Sequence, residues 1–203
     1  MSDTLVAPEN EIFPNRKRWP RRECEKIEKA GVLPERYELI DGAILSKMGH
    51  KPLHCVTLNR IFQWLYLAFG GDFLRNQQPI TVEGRTELFN DPLPDLVVTT
   101  GRNEDYGTRN PAPSELVLLI EISDSTLRMD RTMKALLYAK SGVREYWVAN
   151  IAKREIIRHR KPKRAGYAEV TTLGADEIIS PESRPDDSIR VGDLFPPLSV
   201  KPE

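Results

Sequence analysis

The sequence predicts a single α/β domain of the mixed, α+β kind, with helices packed on one sheet that holds parallel and antiparallel strands. Three observations predict it. Short apolar runs rich in Val, Ile and aromatic residues crowd the middle of the chain: DLVVTT, ELVLLIEIS, REYWVAN, REIIRHR and YAEVTTL. A segment of helical period precedes them, and a second, DRTMKALLYAKSG, sits among them. No internal repeat interrupts this order.

The elements follow in sequence. Residues 1–19 are polar, carry proline and have no periodicity, which predicts a flexible N-terminal arm ahead of one domain over 20–203. RRECEKIEKAG reads as a short helix stopped by Gly31. RYELI and AILSKM flank Asp41-Gly42, a strong hairpin signal between apolar strands. From about Leu53 to Phe69, Val56, Ile61, Trp64, Leu65 and Ala68 recur at helical spacing until Gly70-Gly71 end the run, so this amphipathic helix should pack on the sheet. FLRNQQPITV is read as a strand before DLVVTT and ELVLLIEIS. The next helix has Asp130 near its start and Gly142 just past its end.

Composition narrows the function classes. The chain has 203 residues, long enough to bury a core, and 30 basic residues balance 30 acidic ones, so nothing global favours a polyanionic partner. Cys24 and Cys55 are too few for a disulfide framework or a cysteine metal site, which fits a reducing compartment. The N-terminus lacks the apolar core of a signal peptide, and no apolar run is long enough for a bilayer. A cytoplasmic protein without a membrane partner is expected.

Within ELVLLIEIS, Glu121 interrupts a run that otherwise suits a strand buried on both faces. A lone buried carboxylate costs several kcal/mol unless a cation meets it. The preceding strand, DLVVTT, is joined to this one by a connection of about fifteen residues, a length that often marks a functional loop. Antiparallel pairing around that loop would set Asp95 beside Glu121 on one face of the sheet. Neighbouring carboxylates out of water repel, and one protonates unless a cation lies between them. A hard divalent ion answers this: Mg²⁺ takes one or two carboxylates, keeps several waters and accepts phosphate oxygens, which suits phosphodiester hydrolysis. Zinc is disfavoured because no His/Cys cluster accompanies the acids. The alternative is that Asp95 merely begins a strand or turn after Pro94, while Glu121 pairs with Arg128 or Arg131.

PLPDLVV, LIEISDST, DRTMKALLYAKSGVREYWV and the upstream RYELIDGAIL, in this order from about Arg36 to Asn150, resemble the Uma-type restriction endonuclease family of the PD-(D/E)XK nuclease superfamily. The resemblance implies a restriction-endonuclease-like core, a central mixed sheet flanked by helices, with Asp95 and Glu121 binding Mg²⁺ or Mn²⁺. The superfamily's usual lysine falls two residues after the second acid, on the same face of the strand, where this chain has Ser123. Lys134, on the following helix, is the favoured replacement near the attacking water; otherwise it is a solvated helix lysine. Lys140 is less attractive because a cation near a helix C-terminus complements the dipole.

Glu38 matches the family's early acidic position, as a metal ligand or holder of a metal-bound water, unless it is a strand glutamate facing solvent. His54 also resembles a family position but is expected to serve local structure. Tyr138 shares the face of Lys134, where core packing is the simpler role. Trp147 reads as an apolar strand residue, and Asn150 stands where the resemblance expects aspartate. A basic run, with Lys153, Arg154, Arg158, Arg160, Lys161, Lys163 and Arg164 against Glu155 alone, suits phosphate contacts, or else is a solvated turn. RKRWPRR near the N-terminus could be a second such run. The leading expectation is therefore a metal-dependent endonuclease acting on DNA, with a homodimer implied by resemblance alone. Its rivals are a degenerate nuclease fold that binds nucleic acid or a protein, and an enzyme for RNA or another phosphate ester.

Overall fold

The computed structural model of the protein describes residues 17–34, 36–47, 51–82 and 88–197. Residues 1–16 of the expected N-terminal arm lie outside the described residues. Residues 17–19, assigned to the same arm, run along a hairpin: Arg18 pairs with Asp41, and the Trp19 N–H donates to the Gly42 carbonyl at 2.9 Å.

The order of elements is α1 (Arg21–Lys29), β1 (Tyr37–Ile40), β2 (Ala43–Ser46), α2 (Pro52–Phe69), β3 (Leu74–Asn76), β4 (Leu96–Thr99) and β5 (Leu116–Ser123). After β5, α3 (Leu127–Met129) passes through a π-helical turn (Asp130–Lys134) into α4 (Ala135–Ser141). Then come β6 (Glu145–Asn150), β7 (Glu155–Lys163), β8 (Gly166–Leu173) and the short pair β9 (Ile178–Ile179) and β10 (Ile189–Arg190).

Strands β3 to β8 form one mixed sheet in sequential order. Every neighbouring pair is antiparallel except β5 and β6. A parallel pair cannot be joined by a tight turn, and the α3–α4 segment supplies the crossover it needs. The expected mixed sheet flanked by helices is therefore the observed one.

Each face of the sheet has its own core. Leu58, Ile61 and Leu65 of α2 pack on Leu118, Ile120, Ile122 and Trp147, joined by Val191, Leu194 and Phe195 from the C-terminal segment. On the other face, Leu137 and Tyr138 of α4 pack on Leu119, Tyr146 and Val148. The period of two in β5 sends alternate residues to the two cores.

The hairpin forms as expected, with Asp41 at φ 49° and Gly42 at φ 75°, backbone angles that suit a two-residue turn. Residue 42 must also be glycine for a second reason: a Cβ there would meet the Arg18 Cβ at 2.7 Å. Gly142 ends α4 at φ 85° in the left-handed region. FLRNQQPITV corrects one expectation, because only Leu74–Asn76 is strand. Gln77 sits at φ 51°, which turns the chain, and Pro79 has no N–H to give a ladder, yet Ile80 and Val82 still reach the core.

A candidate metal centre at the edge of β4 and β5

The β4–β5 register places Leu96 opposite Ile120, so the next residue outward, Asp95, comes beside Glu121. Pro94 and Asp95 lie just before β4, and the Asp95 side chain completes the ladder by accepting the Ile122 N–H at Oδ2, 2.8 Å. The hairpin β1–β2 is carried to the same place by backbone pairing of Leu39 with Asp91, at 2.8 and 3.1 Å, in the segment that leads to Asp95. Glu38 is thereby buried beside the acidic pair, its Oε2 accepting the Leu93 N–H at 3.3 Å.

Two lysines enter, one from the end of the hairpin and one from the helical segment after β5. Lys134, only 2% exposed, donates from Nζ to Glu121 Oε1 and lies 2.9 Å from both Glu121 Oε1 and Glu38 Oε1, with Asp130 Oδ1 at 3.7 Å. Lys47, just past β2, is 18% exposed and has its Nζ 3.8 Å from Glu38 Oε1, 3.9 Å from Asp95 Oδ1 and 3.9 Å from Glu121 Oε2. Glu121 thus meets neither Arg128 nor Arg131 in the described contacts, but the two lysines.

The π-helical turn ends at Lys134, and one helical turn later the Tyr138 hydroxyl donates to the same Glu121 Oε1 at 2.8 Å. Irregular π turns inside helices recur at functional sites. Tyr138 therefore combines the expected core packing with a polar contact. His54 Nε2 lies 3.3 Å from Asp95 Oδ2, so its place is against the first acid rather than at the helix start alone. Lys140 is exposed.

Ser123 is bound to the π-helical turn. Its hydroxyl donates to Asp130 Oδ2 at 2.6 Å, and the Thr126 hydroxyl donates to the same oxygen at 2.6 Å. Asn150 donates to Glu155 Oε1 at 2.8 Å. Trp147 is a buried strand residue, stacked on Trp64 with centroids 5.9 Å apart, and its Nε1–H donates to Glu145.

Electrostatics separate the two acids. Burial alone would raise the Asp95 carboxyl, but the His54 contact, the Lys47 charge and the Ile122 N–H hold it down at about 2. Burial lifts the Glu121 carboxyl to about 7, against the pull of Lys134 and Lys47 and with the push of Asp95 and Asp130. Burial disfavours the Lys134 cation, but Glu121, Glu38 and Asp130 outweigh it and keep the ammonium charged.

The basic run extends along β7 and the turn before it. Glu121 is level with Val148, which pairs with Ile157, and Lys163 lies six residues further along β7, roughly 20 Å at strand rise. Several of its cations are committed to the fold. Arg154 binds the Pro196 and Gly192 carbonyls, Arg160 pairs with Glu145 at 2.7 Å, and Lys161 pairs with Glu169. Arg158 is half-buried, whereas Lys153, Lys163 and Arg164 are exposed. In RKRWPRR, Arg18 is likewise tied to Asp41 and lies over the Phe89 ring.

Sequence reasoning missed Lys47 and the buried Asp130. Alternation could have found the first: Leu45 faces the core, so Lys47 two residues on returns to that face. No such signal marks the Asp130 contacts, which depend on how the helix sits over β5. Among the described residues, no helix is long and apolar enough to cross a membrane.

A solved structure has the same architecture. It is a protein from Anabaena variabilis ATCC 29413 described as "a putative nuclease belonging to DUF820", 16% identical, with a TM-score of 0.63 over 83% of this chain and 96% of that one. At that identity the likeness speaks for the fold. No curated protein matches the chain. The profile of the Uma2 family, described as "Putative restriction endonuclease", matches residues 28–192 and so takes in the hairpin, the acidic pair, the crossover helix and all six strands of the sheet. By that match, which spans most of its length, the chain belongs to the Uma2 family.

Proposed function

We propose that the protein is a divalent-metal-dependent endonuclease that hydrolyses DNA phosphodiester bonds. The observation that carries this reading is the convergence of Glu38, Asp95 and Glu121 on one cation position, marked by the Lys47 ammonium at 3.8–3.9 Å. The family's description, "Putative restriction endonuclease", supports the same reaction class.

Charge supports the reading too. Glu38, Asp95, Glu121 and Asp130 surround only two ammonium groups, so with all acids ionised the cluster is short of positive charge. Among the described residues, no group of three or more acidic, His or Cys side chains forms a ready cage for an ion. Mg²⁺ or Mn²⁺ needs no cage, because such a hard ion takes one or two carboxylates and keeps its waters. Asp95 Oδ1 and Glu121 Oε2 are the oxygens to hold it, since their partner oxygens already accept hydrogen bonds. Glu38 accepts on both oxygens and is better placed to orient a water. A divalent ion held there supplies Lewis acidity and neutralises charge at the scissile phosphate.

The chain's own groups do the rest. The Ile122 N–H and His54 fix the Asp95 carboxylate with its second oxygen turned toward the site. Lys134 and Tyr138 fix Glu121 in the same way. Lys134 is too enclosed to touch substrate and acts as a positioning residue through Glu121 and Glu38. Lys153, Lys163 and Arg164 offer exposed phosphate contacts, Lys163 roughly 20 Å along β7 from the level of Glu121.

A specific observation favours the second reading, a binding module that has lost catalysis: Ser123 is tied to Asp130 where the superfamily's lysine would stand. Supercoiled plasmid separates the two. The nuclease nicks it with Mg²⁺ or Mn²⁺, and Asp95→Asn reduces nicking by more than the ~100-fold typical of losing a metal ligand's support. Undiminished nicking by the variant overturns the assignment, and binding of duplex without nicking or Mn²⁺ uptake establishes the binding module.

A further inference from the structure

We propose that Lys47 is a displaceable place-holder: its ammonium fills the metal position in the ion-free protein and swings out to solvent when a divalent ion binds. The inference rests on the metal-site reading above and adds the device that keeps the empty site folded.

The two lysines of the cluster are held very differently. Lys134 comes within 2.9 Å of both its main partners and is sealed in. Those are the lengths of strong charge-assisted hydrogen bonds. Lys47 stands at nearly equal distances, 3.8, 3.9 and 3.9 Å, from three carboxylates, beyond hydrogen-bond reach of each. It is therefore centred by charge and anchored by no hydrogen bond to these acids. An ammonium is a compact point charge on a flexible four-carbon stem, and this one, being partly exposed, has a way out.

A metal ion at this place cannot share it. Mg²⁺ draws its oxygens to about 2.0–2.1 Å, inside the space the ammonium takes up. Asp95 Oδ1 and Glu121 Oε2, which would hold it, are oxygens that Lys47 faces. Without a cation there, Lys134 would be the one ammonium left to Glu38 and Glu121, and Asp95 Oδ1 would face their free side without a positive charge between, and buried charge so short of partners costs several kcal/mol. Lys47 removes that cost in the ion-free state and thereby sets a threshold for ion binding. If it occupies the site nine-tenths of the time, apparent affinity falls by about tenfold.

The test uses the full-length protein and Mn²⁺ alone. Calorimetric titration should show Lys47→Gln binding Mn²⁺ at least about tenfold more tightly than the unaltered protein, while Lys47→Arg, which keeps the charge, gains nothing. Equal or weaker binding by Lys47→Gln overturns the proposal. A second measurement needs no variant: acetylation of Lys47 by a soluble anhydride, read by mass spectrometry, should speed up severalfold on adding Mn²⁺ while Lys134 stays unreactive. Unchanged or slowed labelling of Lys47 despite Mn²⁺ uptake overturns the place-holder and leaves the metal site standing. If Mn²⁺ is not taken up by the unaltered protein or by Lys47→Gln, both fall together.

Discussion

On the α2 side of β5, Leu118, Ile120 and Ile122 meet Leu58, Ile61 and Leu65, and the contact is apolar throughout. On the α4 side, Leu119 is followed by Glu121 and Ser123, which meet Lys134, Tyr138 and Asp130. One strand thus feeds two interiors built on different physics. The first gains from removing hydrocarbon from water and contains no group that titrates. The second buries charge that is tolerable only while each partner is present. The proposed function lies on the second side, because a carboxylate kept from water beside other carboxylates has a reason to take up a cation.

The contrast can be broken most severely at Lys134. Lys134→Met leaves Glu121 and Glu38 without their nearest cation and should cost about 3–5 kcal/mol in urea unfolding. The loss should shrink as the pH is lowered and the carboxyls take protons. A loss below 1 kcal/mol at neutral pH would mean that the charges are better solvated than their burial implies.

On the apolar side, Ile120→Ala should cost about 2–5 kcal/mol, with no dependence on pH between 4 and 8 and no change in Mn²⁺ affinity. A pH-dependent loss would show that the two interiors are coupled through the strand.

His159 sharpens the comparison, since it lies on the charged side, stacked on Tyr146 with centroids 5.1 Å apart. Burial lowers its pKa to about 4 from the usual 6.5. The unfolded chain therefore binds its proton first as the pH falls, so its stabilising share is whole above pH 6.5 and is lost on the way down to about 4. The full loss amounts to about 3 kcal/mol. Glu121 works in the opposite sense over part of that window: a carboxyl raised to about 7 makes stability fall as the pH rises from 4.5 to 7. Only the difference between the protein and His159→Phe isolates the histidine, and that difference should flatten above pH 6.5.

The smallest effect belongs to Ser123. Ser123→Ala removes one donor to Asp130, which keeps the Thr126 hydroxyl, so about 1 kcal/mol is expected. Plasmid nicking should hold. A collapse of nicking would give Ser123 a place in the chemistry after all.

Much of this was legible in the residues themselves. Apolar runs on either side of a long connection foretold antiparallel pairing of β4 with β5, and period two then fixed Asp95 beside Glu121. Helical spacing put Lys134 and Tyr138 on one face, and both reach Glu121. What stayed hidden depends on segments far apart in the chain. Alternation from Leu45 turns Lys47 inward, but its meeting with the acids depends on the pairing of Leu39 with Asp91 and of Gly42 with Phe89, contacts no local pattern announces. The basic run was visible as charge, but its division was not: Arg154 and Arg160 hold the C-terminal segment and Glu145, and those acceptors lie up to 42 residues away. QQPITV looked extended by composition, and the turn at Gln77 overrode it.

The most direct test of the central claim is a crystal grown with Mn²⁺ and measured at the manganese absorption edge. The account predicts one strong anomalous peak about 2.0–2.2 Å from Asp95 Oδ1 and Glu121 Oε2. A structure with Mn²⁺ in excess, no peak between those oxygens and the Lys47 ammonium still among them would contradict it.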